Sequence, residues 1–125
     1  MRAKSTLVDL RECCVQHFDE LFDCAEHRVF SVTVSSQTIW GGNGDQDTDL
    51  FLLMTREGWL LRTEISETGL YQKGDGVVSS SEKKASEEEI EALLNGDKAD
   101  IFTVQRLIEF YDEIRRKYPR EFRIL

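Results

Sequence analysis

Cys13, Cys14, His17, Cys24 and His27 are every cysteine and histidine of the chain, and they crowd into fifteen consecutive positions near its start. Cys14-x2-His17 and Cys24-x2-His27 have the spacing of paired metal ligands. On one continuous helix, however, the two pairs lie about 15 Å apart at about 1.5 Å rise per residue. One zinc ion, with ligands at about 2.0–2.3 Å, cannot bridge that distance. The expectation is therefore no metal, with the cysteines buried as small apolar side chains. Cys13 and His17 stand four apart, as a thiol–imidazole pair on a helix face would. Catalysis by such a pair needs an oxyanion pocket or helix N-terminus and a third group to orient the base. Neither is visible, so no catalytic residue and no cofactor are expected.

A second cluster is acidic. Asn43, Asp45, Asp47 and Asp49 alternate like the ligands of a calcium loop. Counted from Asn43, the position that needs glycine is Thr48, and position twelve is Met54 instead of glutamate. The pattern fails as an EF-hand. Trp40 stands beside it, an aromatic residue flanked by glycines and carboxylates, which is the composition of a protein-binding hot spot with a charged rim. Trp40, Asp45, Asp47 and Asp49 are the expected partner-binding residues. No Gly-x-Ser-x-Gly elbow and no phosphate-binding glycine motif occurs.

The elements that must position these groups follow from periodicity. Residues 5–27 read as one amphipathic helix, with Ser5 as N-cap and Leu7, Cys14, Phe18, Leu21, Phe22 and Ala25 on one face. From Val29 to Ser35 the period becomes two: Phe30, Val32 and Val34 face one way, Ser31, Thr33 and Ser35 the other. Residues 41–49 read as a polar, glycine-rich loop. Leu50–Met54 and Trp59–Ile65 then form a hairpin across Arg56-Glu57-Gly58, with Gly58 at positive φ. Leu50–Met54 is apolar on both faces, so it belongs mid-sheet with cover on both sides or carries a face for a partner.

Ser66–Gly69 reads as a turn into a short strand at Leu70–Lys73. Gly74-Asp75-Gly76 leads to another at Val77–Ser79, and residues 79–84 read as a solvated connector. Ser86 and Glu89 make a capping box for a short helix anchored by Ile90, Leu93 and Leu94 and ended at Asn95-Gly96. A longer helix follows, capped by Asp97 or Asp100, with the stripe Ile101, Val104, Leu107, Ile108, Tyr111, Ile114 and Tyr118. Arg115, Arg116 and Lys117 suit its C-terminal dipole, and Pro119 stops it. Glu121–Leu125 alternates and reads as a last edge strand. The expected fold is α+β and a single domain over residues 1–125: an N-terminal helix, an antiparallel meander of about four to five strands, and two C-terminal helices.

Charge narrows the function classes. Asp and Glu total 24 against 16 Lys and Arg, a net charge of −8, which disfavours nucleic acid and favours a basic partner. No apolar run approaches the roughly 18 residues that a membrane span requires. Asp9 and Glu12 interrupt any secretory h-region, so a cytoplasmic protein with free thiols is expected. A helix, a meander and a capped helix pair in an acidic chain resemble the small immunity proteins of bacterial contact-dependent and other polymorphic toxin systems. The resemblance covers build and charge, and carries over no residue's role. It implies a monomer or weak dimer that neutralises a basic, often nuclease, toxin domain by occluding it. The alternative is a secretion-type chaperone, which binds an extended effector segment and usually dimerises. An enzyme built on Cys13 and His17 predicts an unusually reactive thiol instead.

Overall fold

The computed structural model describes residues 3–69 and 76–122. In chain order these form α1 (Ala3–Gln16), α2 (Phe18–Leu21), β1 (Glu26–Ile39), β2 (Gly44–Thr55), β3 (Gly58–Gly69), β4 (Gly76–Lys84), α3 (Glu87–Leu94) and α4 (Ile101–Lys117), with 3-10 turns at Trp40–Gly42 and Pro119–Glu121. The strands make one antiparallel sheet in the order β1-β2-β3-β4, so the fold is α+β. No helix among the described residues is long and apolar enough to cross a membrane.

Alternation along β2 decides what each face does. Leu50, Leu52 and Met54 point to the helical layer, where they join Leu7, Leu10, Cys14, Phe18, Trp59, Ile90, Phe110 and Ile114 in one core. Phe51 and Leu53 point the other way and are nonetheless buried. Over Phe51 the cover includes charged side chains. The Arg28 guanidinium lies 4.2 Å from the centre of the Phe51 ring. Arg62, opposite Phe51 on β3, donates two bonds of 2.7 Å to Glu26 of β1 and reaches Glu82 of β4 on its other side. Both faces of the apolar strand are thus covered within the chain, one by helices and one by guanidinium planes and carboxylates spanning all four strands.

The 5–27 helix of the sequence pattern is broken. His17 leaves helical geometry at φ −112° and ψ 24°, α2 restarts for a single turn, and Phe22 is already extended. The break stacks Phe22 on His27 at 4.7 Å and brings both against Phe110, at 6.2 and 5.1 Å between ring centres. A straight helix would have carried both away from that contact. Ser5 lies inside α1 and is not its cap, and Ala25 is exposed. In β1 an irregularity at Val34 puts Ser35, not Thr33, in line with the inward residues.

The polar loop expected at residues 41–49 is mostly strand. Only Trp40–Gly42 and Asn43 turn, and β2 is paired with both neighbours from Gly44 onward. Ser66–Gly69, read as a turn, extends β3 opposite Asp47–Gly44, and residues 79–84, read as a connector, belong to β4. The expected strand at Leu70–Lys73 lies outside the described residues, as does most of the one at 121–125. Within the latter, Glu121 ends a 3-10 turn and Phe122 is buried in the core. Gly58 takes φ 109° as expected, already paired with Thr55.

The capping box of α3 is present, with Ser86 accepting from the Glu89 amide and the Glu89 carboxylate accepting from the Ser86 amide. Asp100 caps α4 by accepting from the Thr103 amide at 2.9 Å. The buried line of α4 is Thr103, Phe110 and Ile114 with Leu107 half-buried, rotated from the expected stripe. Insertion of Phe110 among Phe22, His27 and Trp59 sets that rotation. In consequence Ile101 and Phe102 stand 75% and 72% exposed, with Val104 and Ile108 beside them.

Candidate functional site

Apart from Gly44, burial in the strands is confined to the half of the sheet nearest the β2–β3 turn; β4 is exposed throughout, and so is most of β1 beyond Val34. The far half extends past the helices. On its outer face β2 alternation places Asp45, Asp47 and Asp49 in one row, at about 6.8 Å intervals. Asp49 accepts a 2.7 Å bond from the Thr33 hydroxyl and Asp47 a 2.6 Å bond from Ser36, so β1 holds both carboxylates in place. Across the ladder on β3, Glu64 stands directly opposite Asp49. Like charges facing each other across a strand pair cost stability. Among the described residues no Lys or Arg pairs with Asp45, Asp47, Asp49 or Glu64.

Trp40 does not join this row. It holds φ 54° at the tip of the β1–β2 hairpin, a left-handed conformation rare for an aromatic residue. A Cβ built on Gly44 or Gly69 would come within 2.4 Å of the Trp40 ring. Gly44 and Gly69 pair with each other and belong to the helix-side face of β2 and β3. The ring, 44% exposed, therefore lies across a glycine pair on the face opposite the carboxylates. It fills the space the glycines leave at the sheet end. This contact gives a test. Gly69→Ala should cost about 1–2 kcal/mol in urea unfolding, because the Trp40 ring must be displaced. In a Trp40→Ala background the same substitution should cost far less, since the three atoms nearest that Cβ all belong to Trp40. Gly44→Ala should stay costly in both backgrounds, since the Thr68 carbonyl lies 2.9 Å from its Cβ.

The cysteine–histidine cluster is rearranged by the helix break. Cys24 is exposed, its thiol 3.1 Å from the Glu26 carbonyl. Burial between aromatic rings lowers the His27 pKa, partly offset by the Glu113 charge, so the imidazole stays neutral. Burial pushes the Cys14 thiol up as well. Cys13 and His17 do come together, with a third group that lies far away in sequence. Pro119 begins the 3-10 turn after α4, and that turn brings the Glu121 carboxylate to 2.5 Å from His17 Nε2. The Cys13 sulfur, an imidazole nitrogen and a Glu121 oxygen lie within 4.8 Å of one another. Burial, reinforced by the Glu121 charge and its hydrogen bond, pushes the Cys13 pKa up to about 12. With its proton held at neutral pH, that sulfur is a poor nucleophile.

A third feature is a cleft of about 550 Å3 between the β1 edge and the start of α4, lined by Arg28, Lys98, Arg106, Asp100, Phe102 and Thr103. Its cations sit beside the Asp100 cap, a carboxylate already bonded to the helix amide and to the Thr103 hydroxyl.

Neither Glu64 nor Glu121 was among the expected site residues. Glu64 carries a local signal, since it alternates with Arg62 on the outward side of its strand. Glu121 carries none: 104 positions separate it from His17. The chain matches no protein-family model, no curated protein and no solved structure.

Proposed function

We propose that the protein is a binding inhibitor of the immunity type, which neutralises a basic toxin domain by docking the outer face of its sheet over that domain's cationic surface. The observation that carries this reading is Asp49 set against Glu64, flanked by Asp45 and Asp47, with no ion pair to any of them among the described residues; the neighbouring Arg62 is engaged by Glu26 and Glu82. A row of carboxylates fixed by neighbouring hydroxyls is preorganised for Lys and Arg side chains, and a net charge of −8 steers a basic partner toward it. Binding a cation there would also relieve the cross-strand repulsion.

The test is association kinetics with a basic toxin domain encoded beside this gene. The on-rate should fall by about 10–100-fold between low and high salt. The D45N/D47N/D49N variant should bind at least about tenfold more weakly while folding no less stably than the wild type, since the charge facing Glu64 is removed. Association indifferent both to salt and to the triple substitution would refute the reading.

A second reading rests on one specific feature, the exposed apolar start of α4 at Ile101, Phe102, Val104 and Ile108. A secretion-type chaperone would use such a surface to dimerise or to hold an effector segment. Gel filtration separates the two: a stable dimer dissociated by Phe102→Glu supports the chaperone, and a monomer supports the inhibitor.

A further inference from the structure

We propose that Cys13, His17 and Glu121 form a zinc-binding site that clasps the turn after α4 to the end of α1. The donors are a sulfur, an imidazole nitrogen and a carboxylate oxygen, all within 4.8 Å of one another. That mixed set suits a borderline-soft ion. Zinc takes each donor type at about 2.0–2.3 Å, whereas magnesium and calcium call for oxygen alone. In a tetrahedral site the donors stand about 3.3–3.7 Å apart. The present His17–Glu121 contact of 2.5 Å is a hydrogen bond. To admit the ion it must open by about 1 Å, within reach of a side-chain rotation of the half-buried Glu121.

The surroundings favour an oriented ligand set. Tyr118 stacks on the His17 ring at 4.0 Å and 9°, and its hydroxyl donates to Glu20 at 2.7 Å. The imidazole is thereby held in one plane with Nε2 toward Glu121, the kind of support that outer partners give metal-bound histidines. Cys13 is buried, while His17 and Glu121 are each partly exposed. The fourth position is consequently reached from solvent and would hold water. Each of the three positions has a structural cause: the helix break frees His17, the α1 face carries Cys13 four residues earlier, and Pro119 turns the chain to deliver Glu121. Binding replaces the S–H bond of Cys13 with a Zn–S bond and releases that proton to solvent, with no change of oxidation state. The ion joins segments 104 residues apart, a closure that restricts the unfolded chain far more than a local clip does.

The experiment is titration of the full-length, reduced, metal-free protein with cobalt(II) as a spectroscopic stand-in, followed by zinc. One equivalent of cobalt should produce a thiolate-to-metal charge-transfer band and the visible bands of a four-coordinate ion, and one equivalent of zinc should abolish both. Zinc alone should raise the thermal midpoint. Cys24→Ser should leave the spectrum unchanged, because that exposed thiol joins no metal-ligand cluster among the described residues. His17→Gln and Glu121→Gln, at part-exposed positions that tolerate an uncharged amide, should each weaken affinity about tenfold or more. A wild type without the charge-transfer band overturns the assignment. So does a band lost in C24S, or wild-type affinity in either H17Q or E121Q. The wild-type titration decides even if a variant folds poorly.

Discussion

Leu53→Ala should destabilise the domain by about 2–4 kcal/mol, close to the cost of Leu52→Ala, although the two side chains point to opposite faces of β2. Leu52 sits under the helices and Leu53 under no helix at all, yet neither is more than 2% exposed. On a sheet face that met water, truncating a leucine would cost well under about 1 kcal/mol. The larger figure follows from the burial of Leu53 next to Phe51, on the face where Arg28 covers the Phe51 ring and Arg62 bridges Glu26 and Glu82. Guanidinium groups are weakly hydrated and present flat apolar planes, so they exclude water from a hydrocarbon surface while their edges satisfy carboxylates. Urea midpoints of the two variants measure the difference directly. If L53A falls within about 0.5 kcal/mol of wild type while L52A does not, the outer face is wet and the four-strand ion network is no lid.

This face shows what the sequence can and cannot express. An unbroken apolar run from Leu50 to Met54 says that both sides of a strand are shielded, but not by what. Helices on both sides would have been the usual answer. Here the second cover depends on Glu26, Arg62 and Glu82 meeting across three strand pairings, and no local pattern marks that meeting. Capping was legible because it is local: Ser86 with Glu89, and Asp100 with Thr103, act over three residues. The hairpin at Gly58 was legible for the same reason, since a positive φ selects glycine at one position.

Elements whose cause lies elsewhere in the chain were misread. Gly44–Asp49 is polar and contains no alternating hydrophobics, so composition alone makes it a loop. It is a strand because β1 and β3 supply backbone partners on both edges, and a ladder needs only backbone. β4 likewise is a strand because β3 supplies backbone partners along one edge, although its Ser79–Lys84 segment faces solvent. The α4 stripe was displaced because periodicity fixes the width of an apolar face, while one inserted side chain, Phe110, selects its rotation. Asp45, Asp47 and Asp49 share a face in a strand as their spacing of two requires, and only Trp40, bound to a glycine pair on the other side, drops out of the group. The thiol–imidazole pair lacked its third member until Pro119 and the end of α4 delivered Glu121.

Arg11→Met should cost about 2–3 kcal/mol, the second large effect expected of a single substitution. Arg11 Nη1 donates to both oxygens of Glu87, at 2.6 and 2.7 Å, joining α1 to the first turn of α3. The Glu87 side chain is 9% exposed and that of Arg11 34%, so one end of the pair is nearly dry and the other is partly screened. That asymmetry sets the size of the effect: below the cost of breaking a fully buried pair, above that of a surface one. Methionine retains an apolar stem over the β2–β3 turn, where Arg11 Cδ lies 3.2 Å from the Cβ position of Gly58. What R11M removes is accordingly the charge and its two hydrogen bonds, with Glu87 left beside an apolar group. Glu87→Gln in the R11M background should then recover part of the loss, since a neutral amide is cheaper to bury than an unpaired carboxylate. A double-mutant cycle should give a coupling energy of about 1–2 kcal/mol. Strict additivity of R11M and E87Q would mean that α3 is held by its apolar packing, through Ile90, Leu93 and Leu94, and that solvent screens the pair.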